Sequence, residues 1–295
     1  MAAWANWRLA GAGLFFAGLA AAMRSGGAQQ ARMAKEAERR LLDGLRQPAR
    51  TVFTPALLDG LPPPAARYLA RALPAGRPLP RVARFRQHGR LRIAPDSPRW
   101  LPFEAWQVST PWAPGFLWHA RMALAGPLGL QISDAYMQGE GTGRLALQAA
   151  FQLQERGPCP EMNSAALQRY LAEAAWYPAG LLPEAGVRWQ ALDAHRALAT
   201  LEDRGTVVAL EFRFNDDGDI ASVYAPARWR STREGFVSQA WEGRFGNWQQ
   251  VAGLRIPLQA EAGWYDDDAW HCVWQGGIRD IAYELFPGDQ SRKEN

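Results

Sequence analysis

One helical segment, residues 164–176, lies inside a long region of strand-like alternation and constrains the fold of this chain most strongly. Asn163 or Ser164 can cap its start, and Pro178 disfavours a helical conformation at the residue before it. Its apolar residues recur at helical spacing: Leu167, Tyr170, Leu171 and Ala174. The segment therefore predicts a helix of about three turns whose apolar face packs on a sheet.

The opposite side of this helix carries a second stripe, formed by Arg169, Glu173 and Trp176. A helix face in water has no need of a tryptophan. We therefore expect this face either to be covered as well or to close a cavity.

From residue 81 onward the rest of the chain predicts β-strands, because apolar and polar residues alternate with a period of two. The clearest runs are 84–93, 103–108, 116–124, 130–136, 145–153, 187–189, 197–202, 207–214 and 278–283. Short turns join them, such as 215–219 with its Asp-Gly pair and the acidic tip 266–268. About ten strands joined mainly by hairpins form an antiparallel sheet that must curl. We predict the fold class α+β: a large curved antiparallel sheet, or half-barrel, with the helix 164–176 packed on it and further helices near the N-terminus.

The glycine-rich stretch 139–143 predicts a hairpin turn. It lacks GxGxxG spacing and is followed by a strand-like run, whereas a phosphate-binding loop requires a helix N-terminus there. The acidic turn 215–219 lacks the terminal Glu of a calcium loop. We therefore predict no metal site and no cofactor.

The N-terminal residues 1–28 predict a membrane anchor or a signal segment. The apolar run 9–23 has a length between that of a signal-peptide core and that of a full span. Trp4, Trp7 and Arg24 suit the two boundaries of a retained anchor, whereas the small residues 20–22 suit signal cleavage. The basic residues that follow place the main domain in the cytoplasm by the positive-inside rule, and export requires a secretory signal, so both sides stay open.

Residues 29–79 predict a helical juxtamembrane region. A thin apolar stripe, Met33, Ala37, Leu41 and Leu45, predicts either an amphipathic helix on lipid headgroups or a solvated stalk. A second helix, 65–73, follows three prolines. The predicted organisation is completed by a β-rich domain at 80–287 and a polar tail at 288–295.

The composition restricts the classes of partner. A net charge of +4 and a pI near 9.3 are modest for 295 residues, so we expect no nucleic-acid partner. Fourteen tryptophans indicate either cavity walls and interfaces or a large aromatic core. Cys159 and Cys272 lack CxxC spacing and either pair in an exported protein or remain thiols.

One predicted strand carries a row of basic side chains on one face. The row consists of Arg84, Arg86, His88, Arg90 and Arg92. It indicates either contact with anionic surfaces such as lipid phosphates, or a solvated face whose arginines pair with acidic neighbours.

Candidate acids and bases are Glu173, Asp134 and His119. Asp134 lies among apolar residues of the same strand face, where burial without a partner is costly. Because no nucleophile–base pair accompanies these residues, we assign no catalytic residue.

Several motifs together resemble an uncharacterised bacterial family of membrane-anchored proteins, a domain of unknown function, from about residue 61 to 283. They are Arg169-Tyr-Leu-x-Glu173-x-x-Trp176-x-Pro178, Trp100-Leu-Pro-Phe103, Pro114-Gly-Phe-x-Trp118, Asp134-x-Tyr136-x-x-Gly139 and Gly253-x-x-Ile-Pro257. The C-terminal half, with residues 248–257 before two long strands, is similar to the LolA-like lipoprotein-carrier half-barrels that hold acyl chains. This second resemblance implies a cavity for a hydrophobic ligand.

Three functions follow for a protein held at the bacterial cell membrane by a single N-terminal anchor. The first is binding of a lipid or other hydrophobic ligand between sheet and helix. Its candidate residues are Arg169, Tyr170, Glu173, Trp176, Trp118, Asp134 and Tyr136. The alternatives are a structural or partner-binding envelope protein, and an enzyme that uses Glu173 or Asp134 as acid or base. A hollow space between helix and sheet would favour the first.

Overall fold

The computed structural model describes residues 32–92, 97–125, 128–147 and 151–286. Within them, thirteen strands form one sheet. The strands are β1 (Pro80–Leu91), β2 (Leu101–Ser109), β3 (Phe116–Ala125), β4 (Leu128–Met137), β5 (Glu140–Leu147), β6 (Phe151–Arg156), β7 (Arg188–Ala191), β8 (Arg196–Asp203), β9 (Thr206–Phe214), β10 (Ile220–Ser231), β11 (Phe236–Val251), β12 (Leu254–Asp266) and β13 (Ala269–Leu285). The helices are α1 (residues 32–43), α2 (Pro63–Ala72) and α3 (Pro160–Glu173), and short 3-10 turns follow α3.

The first and last strands of the sheet lie side by side at its centre. The strand order is β6-β5-β4-β3-β2-β1-β13-β12-β11-β10-β9-β8-β7, and every pair is antiparallel. The chain therefore meanders from the centre to one edge, crosses to the other edge through α3, and meanders back. The predicted half-barrel, a curled antiparallel sheet with a central helix, is confirmed.

Helix α3 lies across the concave side and contacts both halves of the sheet, β4 and β5 in one and β9 and β10 in the other. The Asn163 amide oxygen accepts a hydrogen bond from the Gly141 N–H at 2.8 Å on β5. On the other side, Gln168 Nε2 donates to the Ala227 carbonyl at 3.2 Å on β10. Leu167 and Leu171 are fully buried. The helix is thus attached to both halves of the sheet.

The observed helix begins four residues before the predicted segment 164–176. Pro160 occupies its first turn, where a missing N–H costs nothing, and Cys159 is the N-cap. Asn163, predicted as a cap, instead bonds the neighbouring strand. The α-helix ends at Glu173, and residues 174–176 continue as a 3-10 turn before Pro178.

Helix α1 packs on the convex face of the sheet. Leu41 is buried there against an apolar strip contributed by four strands: Val82, Val108, Leu117 and Ala135. Glu38 forms an ion pair with Arg84 at 2.6 Å. For residues 32–43 this placement corrects both sequence interpretations, the helix on headgroups and the solvated stalk, because the sheet itself supplies the apolar partner.

Residues before the sheet contribute to its concave core. Phe53, Leu57 and the α2 residues Tyr68, Leu69 and Ala72 are buried in the same cluster as the strands. Part of the predicted juxtamembrane region 29–79 thus shares one core with the region 80–287. No helix in the described ranges is both long and apolar enough to cross a bilayer. The predicted segment 1–28 and the tail 288–295 lie outside the described residues.

The predicted hairpins are confirmed, and their turns use left-handed residues. Gln138 and Gly139 have φ of 53° and 89° between β4 and β5. Asp267 and Asp268 have φ of 43° and 65° at the acidic tip. In the turn 215–219, Asp219 is buried. Neither Cys159 nor Cys272 is in a disulfide.

We expect the contact between β5 and α3 to tolerate no side chain at Gly141. A Cβ there would overlap the Met162 carbonyl of α3. Gly141→Ala should therefore lower the free energy of unfolding by about 1–3 kcal/mol, the range of overpacked sites. Chemical denaturation of the full-length chain measures this.

The matched control is Gly246→Ala in β11, where a Cβ would meet nothing within 4 Å. It should leave stability unchanged or raise it slightly, since alanine costs less backbone entropy than glycine. Equal losses in both variants would contradict the close approach of helix and strand.

Candidate functional site

A cavity of about 320 Å³ lies on the concave side of the sheet, beside the C-terminal half of α3. Its wall is mainly apolar and combines seven strands with α3 and the turn after it. The aromatic lining residues are Trp118, Trp176, Trp241, Phe245, Trp264 and Trp274. Its charged lining residues are Arg92, Asp134, Arg169, Glu173, Arg228 and Glu261. The space beneath the helix is hollow here, whereas α2 fills the core elsewhere.

Glycines in the long strands make room for the tryptophan rings. A Cβ at Gly243 would lie 2.9 Å from the Trp241 ring, and a Cβ at Gly276 would lie 2.5 Å from the Trp274 ring. Each ring therefore covers the glycine two residues further along the same strand face. This arrangement spreads the rings along the cavity wall.

Arg169 is the centre of a polar cluster at the helix side of the cavity. Its Nη1 contacts Asp134 Oδ2 on β4 at 2.7 Å, and its Nε contacts Glu173 Oε1 one turn along α3, also at 2.7 Å. Glu173 Oε2 accepts a hydrogen bond from Gln107 Nε2 at 2.6 Å. The guanidinium also lies 4.7 Å from the Trp118 ring. The cluster thus joins the helix to β2 and β4.

Burial shapes the protonation of this cluster. Burial raises the pKa of Asp134, and the interaction with Arg169 opposes that rise without cancelling it. Burial alone would lower the pKa of Arg169, but Glu173 and Asp134 hold it above its ordinary value. Arg169 is therefore a permanent cation.

Arg228 reaches the same cavity from β10. A β-bulge between Ala225 and Arg228 inserts one extra residue relative to β11. Pro226, which has no N–H to pair, lies in the bulge. The shift directs Arg228 to the concave side, where its guanidinium lies 4.7 Å from the Trp241 ring and 5.3 Å from the Trp264 ring.

The Arg228 guanidinium is incompletely bonded among the described residues. Nη2 donates to the Ala165 carbonyl at 3.1 Å, while the buried Nε has no hydrogen-bond partner there. Burial, and next the charge of Arg169, lower the pKa of Arg228 to about 10. The side chain thus stays charged at neutral pH.

The structure brings most of the predicted ligand-binding residues together. Arg169, Glu173, Trp176, Trp118 and Asp134 all line the cavity.

Two predicted residues lie away from the cavity lining. The Tyr170 hydroxyl donates to the Thr110 carbonyl at 3.0 Å. The Tyr136 hydroxyl donates to Asp203 Oδ2 at 2.9 Å. Both tyrosines are buried and tie α3 and β4 to neighbouring segments.

The predicted basic row begins on the convex face. Arg84 is half-buried between Glu38 and Glu284, as the alternative of paired arginines predicts. Arg86 and His88 are exposed. Arg90 and Arg92 lie 5.0 and 4.5 Å from the Trp100 ring, and Arg92 also reaches the cavity. Contact of this row with anionic surfaces stays a prediction.

His119 is separated from Asp134 and Glu173 by the sheet. Its Nδ1 lies 2.7 Å from the Ser133 hydroxyl on the convex face. Burial and then Arg121 lower its pKa to about 4. The three candidate acid–base residues therefore do not form one constellation.

Sequence reasoning missed Arg228 and the tryptophans of β11 to β13. The signal for Arg228 was Pro226 in an otherwise strand-like run, since proline inside a sheet marks a bulge or an edge. The tryptophans at 241, 264 and 274 are separated from the helix by many residues, so only the sheet register brings them to it.

We expect Arg169→Met to lower the free energy of unfolding by about 2–3 kcal/mol near neutral pH, because it leaves two partly buried carboxylates without their cation. The loss should shrink as pH falls. Burial raises the pKa of Asp134 in the folded state, so protonation of Asp134 stabilises the fold. This stabilisation is present at low pH and is lost as pH rises through the folded-state pKa. Thermal unfolding at about pH 7.5 and about pH 5 tests this.

Arg196→Met is the matched control. Arg196 also contacts two carboxylates, Asp193 and Glu211, but its side chain is 48% exposed. Its loss should cost less than about 1 kcal/mol. A pH-independent deficit in Arg169→Met would contradict the role of Asp134.

Comparisons with known proteins identify a family without assigning an activity. No curated protein sequence matches the chain. A LolA superfamily protein from Nitrosomonas europaea of known crystal structure is similar to it at 10% identity, with a TM-score of 0.37 over 76% of this chain and 93% of that chain. A model of a family of unknown function, DUF6544, matches residues 51–276, so the chain belongs to that family, and the predicted membership in a family of unknown function is confirmed.

Proposed function

We propose that this protein binds a lipid or another hydrophobic ligand in the cavity between α3 and the curved sheet. The observation that carries the proposal is a hollow space of about 320 Å³ with a mainly apolar wall that contains five tryptophans and six charged residues. Apolar walls with a small number of placed polar groups are typical of small-molecule sites.

The size of the cavity restricts the ligand. Small-molecule sites range from about 300 to 1,000 Å³, so this one lies at the low end. We infer that it takes a single alkyl chain or a molecule of similar bulk. The N-terminal segment would hold the protein at the bacterial membrane, where such ligands are concentrated; this part of the proposal rests on the sequence of residues 1–28 alone.

The alternative functions have weaker support. Both oxygens of Glu173 and one of Asp134 are hydrogen bonded, so these carboxylates are positioned as partners of Arg169 and Gln107 rather than as free acids or bases. A partner-binding surface would expose its aromatic residues. In the described part of the chain, Trp229 is the exposed tryptophan, at 37%.

Ala262→Trp tests the proposal, because Ala262 lines the cavity and a tryptophan there would occupy it. We expect the variant to bind N-phenyl-1-naphthylamine, a neutral apolar fluorescent probe, at least about tenfold more weakly than the wild type, since the probe would lose most of its apolar burial. Fluorescence titration of the full-length protein measures this.

Ala191→Trp on the edge strand β7 is the control, since Ala191 is exposed and lies outside the cavity lining. It should bind the probe like the wild type. If Ala262→Trp is folded and retains full probe binding, the cavity is not the binding site.

A further inference from the structure

We propose that the cavity selects amphiphiles with an anionic head group, a carboxylate or a phosphate, and that Arg228 binds this group. The inference rests on the proposed function, because it assumes that the apolar part of the ligand occupies the aromatic space. It adds the charge of the ligand and the residue that recognises it.

The two arginines near α3 differ in their partners. Arg169 contacts two carboxylates at 2.7 Å. Arg228 forms no ion pair with any described residue, and its only hydrogen bond there is the one to Ala165. A guanidinium carries five N–H donors, so Arg228 retains donors for an acceptor in the cavity.

The position of Arg228 is built by several features. The bulge at Pro226 turns the side chain into the cavity, and the rings of Trp241 and Trp264 flank the guanidinium. The two rings restrict the position of the guanidinium, whose planar set of donors suits carboxylates and phosphates. Arg230 follows on the same side but donates to Gln239 at 2.9 Å.

The remaining charges of the helix side disfavour the other classes of head group. On the helix side, the carboxylates that a cationic head group could use are Asp134 and Glu173, and Arg169 already contacts both. The remaining lining carboxylate, Glu261 on β12, accepts a hydrogen bond from Gln275 Nε2 at 2.7 Å. A neutral head group would bring no acceptor of opposite charge to the Arg228 guanidinium, which Glu173 and Asp134 affect through their charges but do not contact. An anion satisfies Arg228 and disturbs no existing pair.

Binding of four ten-carbon probes to the full-length protein tests the inference: decanoate, decyl phosphate, decanol and decyltrimethylammonium, each below its micelle concentration. Quenching or shift of tryptophan fluorescence reports cavity occupancy. We expect the two anions to bind at least about tenfold more tightly than decanol, the effect of a charge-assisted hydrogen bond in a partly buried site. The ratio of the dissociation constants of decanoate and decyl phosphate distinguishes a carboxylate from a phosphate as the preferred head group.

Arg228→Met should remove the preference for the anions, lowering their affinity at least about tenfold while decanol binding is unchanged. Arg228→Lys, which keeps the charge but not the stacked plane, should retain part of the preference and serves if the methionine variant does not fold. Arg244→Met is the matched control, because Arg244 also stacks on a tryptophan, at 3.7 Å from the Trp270 ring, but lies outside the cavity. It should bind all four probes like the wild type.

Equal binding of decanol and decanoate, tighter binding of the cationic probe, or an unchanged preference in folded Arg228→Met would each overturn the inference while leaving the binding function intact. Failure of all four probes to bind would overturn the binding function itself, and with it this inference.

Discussion

The structure depends on one connection, the crossing of α3 from one edge of the sheet to the other. β6 and β7 are consecutive along the chain but lie at opposite ends of the strand order. A single helix can join them only if the sheet curls enough to bring its edges near. Arg156 of β6 holds the two halves together, since its Nη2 donates to the Thr232 carbonyl beyond β10 at 2.8 Å. The curvature of the sheet and the position of the helix therefore depend on each other.

The two faces of the crossing segment have different surroundings on the concave side of the sheet. Tyr177 and Leu171 are fully buried in the apolar core. Arg169 and Glu173 point the other way, and charged groups cannot be covered by hydrocarbon without a large loss of hydration free energy. Both charged groups keep polar partners at the cavity wall, Asp134 for Arg169 and Gln107 for Glu173. The polar face of the helix therefore lines the hollow space.

The sequence predicts most of the fold, because hairpin connections and strict alternation give each strand its faces. It predicts less of the site. Alternation places Tyr136 and Trp118 on concave-facing positions of neighbouring strands, yet only Trp118 reaches the cavity, since alternation gives the face and not the depth along the strand. Arg228 is not predicted from the sequence, because the bulge interrupts the alternation of sides along β10. The apolar stripe of α1 is visible in the sequence, but its partner surface is assembled from four strands and exists only after the sheet forms.

Arg169 and Arg228 line the same cavity but differ in their ionic partners. Both guanidiniums lie against aromatic rings, so stacking alone does not distinguish them. Asp134 and Glu173 neutralise the charge of Arg169, and the ion pair with Asp134 attaches the helix to the sheet. Burial and then the charge of Arg169 lower the pKa of Arg228, while the charges of Glu173 and Asp134 oppose this. No carboxylate contacts Arg228 among the described residues. A protein that needed only to fold could place an apolar side chain after the bulge. The cation held there instead is the feature on which we base the proposed site for an anion brought from outside the chain.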